Sequence, residues 1–190
     1  MISTSFFGLI NNISILLLLG FLYDLMHPGL EKRASKFRLV IIGMIVGGIG
    51  LIVMAMSWQL VPGIRFDTRS ILLCISGLFF GTVPTMIAMA MTITMRLIQG
   101  GGAWTGALVI ISSGGIGLLW RRFSKGHPWG FDHMGLYLLG GIVHIVMLVI
   151  MFITLPEPVI LPLLKGLASP IMIFYPLGTV FFGKILYNRL

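Results

Sequence analysis

The sequence is poor in charged residues, and this deficit excludes a large class of proteins. Only 9% of its 190 residues are charged, whereas 57% are hydrophobic; soluble domains carry about 25% charged residues. A soluble globular domain is therefore excluded, and we predict a polytopic membrane protein. The first apolar run, residues 5–22, has neither a basic n-region nor an A-x-A-like cleavage site, so we interpret it as a retained helix.

Cysteine, acidic residues and catalytic motifs are also scarce. The single Cys74 excludes an internal disulfide, and its apolar surroundings favour a small buried residue over a reactive thiol. The five acids lie at the ends of apolar runs or between them: Asp24, Glu31, Asp67, Asp132 and Glu157. H-E-x-x-H, P-loop and C-x-x-C motifs are absent, and His127 and His133 have no partner at metal-ligand spacing. We therefore expect no catalysis, no metal and no cofactor in this chain.

Apolar runs of membrane-spanning length are abundant. They fall at about 5–26, 39–57, 70–98, 103–120, 134–154 and 168–188. Each provides the roughly 20 residues that a bilayer core requires. No repeat of 20 to 50 residues and no low-complexity linker divides the chain, so residues 1–190 are predicted to form a single domain. The predicted fold class is an all-α, polytopic transmembrane bundle with six to seven membrane segments.

The thirteen Lys and Arg residues cluster between these runs and predict the orientation of the chain. They concentrate in HPGLEKRASKFR (27–38), in RRFSKGHPWGFD (121–132) and near the C-terminus. Clusters of this kind mark cytoplasmic loops. The predicted N-terminus is therefore outside and the C-terminus is cytoplasmic. A net charge of +8 could suggest nucleic acid in a soluble protein, but here it follows the membrane topology, and we expect no nucleic-acid partner.

This orientation requires residues 70–98 to enter and leave the membrane from the outer face. As one ordinary span, they would place 121–132 outside, against the charge pattern. Within the run, SILLCISGLFF is followed by GTVPT, where Gly81 permits unusual backbone angles and Pro84 suits the first turn of a new helix. We predict a broken or re-entrant hairpin with arms of roughly 17 and 22 Å. The alternative is one tilted helix of 29 residues.

Such a hairpin brings Arg69 and Arg96 to one outer surface and so outlines a site for an anion. A guanidinium offers a planar fork of donors that suits carboxylate or phosphate, and a glycine turn exposes N–H groups at the start of the next helix. The predicted ligand-binding residues are Arg69, Arg96, Gly100, Gly101, Gly102, Trp104, Thr105 and Asp67. The alternative is that both arginines only reach lipid phosphates and the glycines only form a tight turn.

The roles of Asp67, His144 and Asn11 depend on what each side chain contacts. Asp67 either pairs with Arg69, which lowers the charge of the site, or caps the following helix, which we favour. His144 lies in the middle of a predicted span, where a hydrogen bond to a neighbouring helix is favoured over proton sensing. Asn11 is expected to join helices in the same way. His144 and Asn11 are therefore candidates to hold the ligand-binding residues in position without contacting the ligand.

The stretch FDTRSILLCISGLFFGTVPTMIAMAMTITMRLIQGGGAWTGALVIISSGGIGLLWRR resembles the core of the LytS/YhcK-type five-transmembrane receptor domain. The shared features are a D/N-x-R start, a GLFFG-x-x-P break, an arginine that closes the second arm, a double glycine and a helix that ends in a basic pair. LINNISILLLLGFLYDLM resembles the first helix of that domain, and LYLLGGIVHIVMLVIMFITLP and SPIMIFYPLGTVFFGKIL resemble its last two. The resemblance covers about residues 5–188.

This resemblance implies a function and a location. In the family, the module is the membrane input domain of bacterial sensor histidine kinases, which act in two-component systems, and of GGDEF-type diguanylate cyclases. It implies a receptor in the bacterial inner membrane, surrounded by lipid, that binds a small extracellular anion. The implied partners are a cytoplasmic output domain and a second copy in a homodimer. The alternative function is a solute-binding membrane subunit of a transporter.

The resemblance also bears on the ligand. Some relatives are thought to sense small carboxylates such as pyruvate through arginines that align with Arg69 and Arg96. Pyruvate-type relatives have a cysteine in the helix after the glycines, where this sequence reads TGALVIISS. The resemblance therefore implies an anionic ligand, such as a carboxylate, without identifying it as pyruvate.

Overall fold

The structure is a computed structural model that describes residues 36–61 and 64–188. Its helices are α1 Lys36–Ala55, α2 Arg69–Phe79, α3 Thr82–Gln99, α4 Ala103–Phe123, α5 His133–Thr154 and α6 Glu157–Tyr187. A 3-10 helix, Pro128–Phe131, precedes α5, and an antiparallel ribbon of β1, Trp58–Val61, and β2, Ile64–Phe66, connects α1 to α2. The predicted helical class is confirmed, and the short ribbon is an addition to it.

Within the part of the chain that the structure describes, four helices are long and apolar enough to cross a membrane. They are α1, α4, α5 and the part of α6 from Ala168 to Tyr187. Because the chain has several such helices, it is a multi-pass membrane protein. The two hairpin arms, α2 and α3, add to these four among the described residues. The first predicted segment, residues 5–26, and Asn11 within it lie outside the described residues, so the total of six to seven segments stays a prediction.

The helix break predicted within residues 70–98 is present. α2 ends at Phe79, Gly81 has a φ of +83°, and α3 begins at Thr82. Glycine suits this left-handed backbone. Pro84 lies in the first turn of α3, where a backbone N–H has no partner within the helix. The alternative of one continuous tilted helix is wrong. The second arm has 18 residues, or roughly 27 Å, and is longer than predicted.

Glycines allow several helices to approach closely. Gly43 and Gly47 of α1 lie against α3, as their small-xxx-small spacing predicts. Gly77 of α2 faces the main chain of α4, since a Cβ there would lie 2.7 Å from the Leu118 nitrogen. Gly117 of α4 in turn faces the main chain of Cys74. Cys74 itself is buried, as predicted. α2 and α4 are thus joined almost backbone to backbone.

Gly115 of α4 and Gly141 of α5 do not pack between helices, unlike the glycines above. A Cβ on either glycine would have nothing within 4 Å. Gly115 lies on the same face of α4 as Ile111 and Leu119, one turn before and one turn after it, and both of these side chains are exposed. This face is turned outward, where lipid is the neighbour, so small size at that position does not indicate a helix contact.

The two ends of the bundle differ in charge. At one end, called the cavity end, the start of α2, the end of α3, the start of α4 and the end of α5 surround one cavity. At the other end, called the basic end, Arg121 of α4 contacts the break between α2 and α3. The cations at the basic end are Lys36, Arg38, Arg121, Arg122, Lys125 and Lys184. The basic segments that the sequence predicts on one side of the membrane therefore lie at one end of the bundle.

Candidate functional site

The cavity is small, and its lining is polar on one side and apolar on the other. The lining residues are Asp67, Arg69, Ser70, Arg96, Gly102, Thr105, Gly106, Val109, Met147, Met151 and Leu155. Its volume is about 40 Å³, counted as the space open to the centre of a water molecule. One water needs roughly 10–15 Å³ by this measure. The cavity can therefore hold a few waters or a ligand of a few heavy atoms.

Arg69 enters the cavity at the first residue of α2 and is held by Asp67. Only 6% of Arg69 is exposed, and a buried guanidinium requires a partner. Its Nε lies 3.2 Å from Asp67 Oδ1. The same oxygen accepts a hydrogen bond from the Arg69 backbone N–H at 3.1 Å. The pairing of Asp67 with Arg69 is thus present, and the same carboxylate accepts the first N–H of α2, although the N-cap position itself is Thr68.

Arg96 enters the cavity from the end of α3 and lies across α4. It is 3% exposed, and its Nη1 donates to the Gly100 carbonyl at 3.1 Å. Gly106 gives it room, because a Cβ at that position would lie 2.8 Å from Arg96 Cγ. Among the described residues, the charged groups of the lining are these two guanidinium groups and the Asp67 carboxylate. The structure therefore places Arg69, Arg96 and Asp67 in the same cavity, as the hairpin predicts.

The glycine turn contributes less to the wall than we predicted. Gly100 and Gly101 have φ values of +67° and +57°, which only glycine adopts readily, and they reverse the chain between α3 and α4. Only Gly102 of the three lines the cavity. Gly100 acts through its carbonyl, which holds Arg96, and the Gly101 carbonyl accepts the Ala103 N–H. These two glycines therefore shape the site from outside its wall.

Trp104 lies outside the cavity, and the prediction that it lines the wall is wrong. Its side chain is 79% exposed and shares an outward stripe of α4 with Leu108 and Ile111. The inward stripe consists of Thr105, Gly106 and Val109 instead. Contacts with α2 and α3 set the rotation of α4 about its own axis. The local sequence does not reveal these contacts. An exposed tryptophan in the first turn suits the membrane interface.

Two hydroxyl groups of the lining connect the site to α5. Thr105 lines the cavity as predicted, and its Oγ1 lies 2.8 Å from Thr154 Oγ1. Ser70 Oγ lies 3.0 Å from His144 Nε2. The predicted hydrogen bond between His144 and a neighbouring helix is therefore confirmed, and among the described residues Ser70 links His144 to the cavity. Sequence reasoning missed Ser70, for which its position next to Arg69 was the only signal.

The remaining lining residues missed from the sequence are apolar or have no side chain. Val109 of α4 and Met147 and Met151 of α5 form the apolar side. Such residues are common in every span of this chain, so nothing in the sequence separates these from lipid-facing ones. Gly106, likewise, is one glycine among 25.

A family model described as the 5TMR of 5TMR-LYT matches residues 21–189 of the chain. No curated protein and no solved structure matches the chain.

Proposed function

The chain belongs to this 5TMR family of receptor domains, and from that membership we propose that it is the part of a membrane receptor that binds the signal molecule. Domains of this family are sensory input modules and are not themselves catalytic. The observation that carries the proposal is the cavity in which Arg69 and Arg96 are both buried. Ionisable side chains at membrane depth are expensive, and they usually serve a function.

The proposed ligand is a small anion with a single negative charge. Among the described residues the lining carries two guanidinium groups and one carboxylate, a net positive charge that an anion with one negative charge complements. A carboxylate matches the planar fork of arginine, and Val109, Met147 and Met151 offer apolar contact to a short carbon chain. The ligand class thus follows from the charge and the size of the cavity.

In the proposed topology the cavity end faces the outside and the basic end faces the cytoplasm. The positive-inside rule supports this orientation, because six described cations lie at the basic end. It places the N-terminus outside and the C-terminus inside, in the inner membrane of a bacterium.

Cysteine labelling in intact cells tests this orientation. Lys125→Cys at the basic end and Glu157→Cys at the cavity end both replace exposed residues, and native Cys74 is buried. A membrane-impermeant maleimide should label the cysteine at 157 and should leave the one at 125 unlabelled until the cells are permeabilised. Labelling of Lys125→Cys in intact cells would reverse the proposed topology.

Signal output is proposed to pass through α6 to a cytoplasmic histidine kinase or diguanylate cyclase, in a homodimer. α6 contacts the residues just before α2 through Tyr175, whose hydroxyl donates to the Asp67 carbonyl at 3.2 Å. From there α6 continues to the basic end. A ligand can shift this helix only by binding two states of it with different affinity. The coding region after Leu190 separates this function from a transporter subunit. A helical linker into a PAS, kinase or GGDEF domain supports the receptor, whereas a stop codon beside ATPase genes supports the transporter.

Arg96 variants test the anion site directly. Charge-assisted hydrogen bonds contribute about 1.5–3 kcal/mol each, so Arg96→Ala should weaken binding roughly ten- to a hundredfold. Arg96→Lys should also weaken it, because an ammonium does not reproduce the guanidinium fork. The measurement is titration calorimetry of the purified protein with acetate, lactate, pyruvate and phosphate. Arg122→Ala, at an exposed position of the basic end, is the matched control.

The rival interpretation, in which Arg96 only anchors the protein to lipid, makes the opposite prediction for lysine. A lysine would then substitute without loss. Wild-type affinity in both Arg96 variants would refute the anion site.

A further inference from the structure

The hydrogen-bond donors and acceptors of the cavity are unevenly distributed, and this bears on the ligand. The donors come from Arg69 and Arg96, which suit a carboxylate. The other polar side chains in the lining are Asp67, Ser70 and Thr105. Each of these three lining residues retains capacity to accept a hydrogen bond, as the next observations show.

The hydrogen of Ser70 is directed away from the cavity. His144 Nδ1 lies 2.6 Å from the Gly140 carbonyl oxygen, which can only accept, so Nδ1 carries the proton and donates. In the neutral imidazole Nε2 is then the acceptor. The Ser70 hydroxyl, 3.0 Å away, therefore donates to it. What remains for the cavity is the lone pairs of Ser70 Oγ.

The same reasoning applies to Thr105. Thr154 Oγ1 donates to the Ile150 carbonyl at 2.7 Å, which uses its only hydrogen. In the contact of 2.8 Å between the two threonines, Thr105 must then be the donor. Thr105, like Ser70, has no hydrogen left for a ligand and offers only acceptor capacity.

Asp67 provides the strongest acceptor. Its Oδ1 is occupied by Arg69, but Oδ2 is buried and has no hydrogen-bond partner among the described residues. Only 2% of the Asp67 side chain is exposed. A buried carboxylate oxygen without a donor is costly. Since Asp67 lines the cavity, a donor on the ligand could satisfy this oxygen.

We propose that the ligand carries a hydroxyl group beside its carboxylate, and that it is a short hydroxy monocarboxylate of two or three carbons. This inference rests on the proposed anion site and specifies it further. The arginines bind the carboxylate, and the hydroxyl donates to Asp67 Oδ2, with Ser70 and Thr105 as further acceptors. An amino acid would also bring a donor, but its ammonium group would add a positive charge beside the guanidinium groups of Arg69 and Arg96. The cavity volume restricts the ligand to a few heavy atoms.

Three acids of nearly equal size test the proposal on the wild-type protein. Lactate has a hydroxyl at its second carbon, pyruvate has a carbonyl oxygen that only accepts, and propionate has no oxygen there. Titration calorimetry should give lactate at least a tenfold lower Kd than either of the others, because a site built around acceptors rejects analogues that lack the donor. Pyruvate should be the weakest, since its carbonyl oxygen would face Asp67.

An Asp67 variant reverses the chemistry at the critical atom. Asp67→Asn replaces a carboxylate oxygen by an amide that can donate. The preference for lactate over pyruvate should therefore fall at least tenfold or invert. Asp132→Asn, at the start of α5 and outside the cavity, is the control and should keep the wild-type preference. If Asp67→Asn does not fold, the comparison of the three acids on wild-type protein still decides.

The outcomes separate this inference from the function on which it rests. Equal affinity for the three acids, or tighter binding of pyruvate, would overturn the hydroxy-acid proposal and leave the anion site standing, provided that Arg96→Ala weakens binding. If none of the acids binds the wild-type protein, both proposals fail. A lactate preference that survives in Asp67→Asn would also overturn the assigned role of Asp67.

Discussion

Gly117→Ala is expected to lower the free energy of unfolding by about 3 kcal/mol, the upper part of the range for overpacked positions. A Cβ at Gly117 would contact the carbonyl oxygen of Cys74 and would lie 3.0 Å from its Cα. These atoms belong to the backbone of α2, so no side chain can rotate away, and the two helices must separate instead. The measurement is denaturant-induced unfolding of the purified protein in mixed micelles, followed by circular dichroism.

Gly115→Ala is the matched control for this experiment. It makes the same chemical change two residues away in the same helix, but nothing lies within 4 Å of the added carbon. Its effect should stay within about 0.5 kcal/mol, and alanine's higher helix propensity favours a small gain. Equal stability of the two variants would show that α2 and α4 do not pack as closely as described.

Arg121→Met is expected to destabilise the protein by about 2–5 kcal/mol, because it removes the donor from two carbonyls that lack one within the helix. Arg121 Nη1 donates to the Phe79 carbonyl at 2.7 Å and to the Leu78 carbonyl at 3.2 Å. These groups lie at the end of α2, where the last carbonyls have no partner within the helix. Methionine keeps an apolar stem of similar reach and so isolates the loss of the guanidinium.

The neighbouring Arg122→Met controls for the loss of one positive charge at the basic end. Arg122 is exposed, so its replacement should change the free energy of unfolding by less than about 0.5 kcal/mol. The same unfolding titration serves for both variants. A loss of equal size in the two would assign the effect to charge at the membrane surface rather than to the break.

The features that the sequence predicts well are those that depend on local chemistry. The break between α2 and α3 follows from Gly81 and Pro84, whose backbone preferences act within a few residues. The convergence of Arg69 and Arg96 follows from the distribution of basic segments along the chain, since only a hairpin leaves these segments on one side of the membrane. Both inferences need no knowledge of which helix packs against which.

The features that the sequence does not predict depend on how helices are rotated against each other. Trp104 and Thr105 are adjacent, yet one faces outward and the other lines the cavity. Gly115 and Gly117 likewise differ only in the direction that they face. In an apolar membrane helix, both faces carry similar side chains, so the amphipathic pattern that fixes the rotation of a soluble helix is weak.

The β-ribbon was also not predicted, although its sequence carried a signal. Trp58–Val61 and Ile64–Phe66 are rich in residues that favour strands, and Gln59 pairs with Arg65. The segment is short and lies between two long apolar runs, whose membrane-spanning pattern is the stronger signal.

The bond between Arg121 and the end of α2 has a consequence for biosynthesis. The ribosome delivers α2 before α4, yet the donor for the last carbonyls of α2 lies 42 and 43 residues later in the chain. Unsatisfied backbone groups are costly where water is scarce, so we expect these carbonyls to depend on water or on the insertion machinery until α4 has been translated. A pause in translation between Phe79 and Arg121 would therefore lengthen the interval in which α2 depends on the insertion machinery, whereas a pause after α4 has emerged would not.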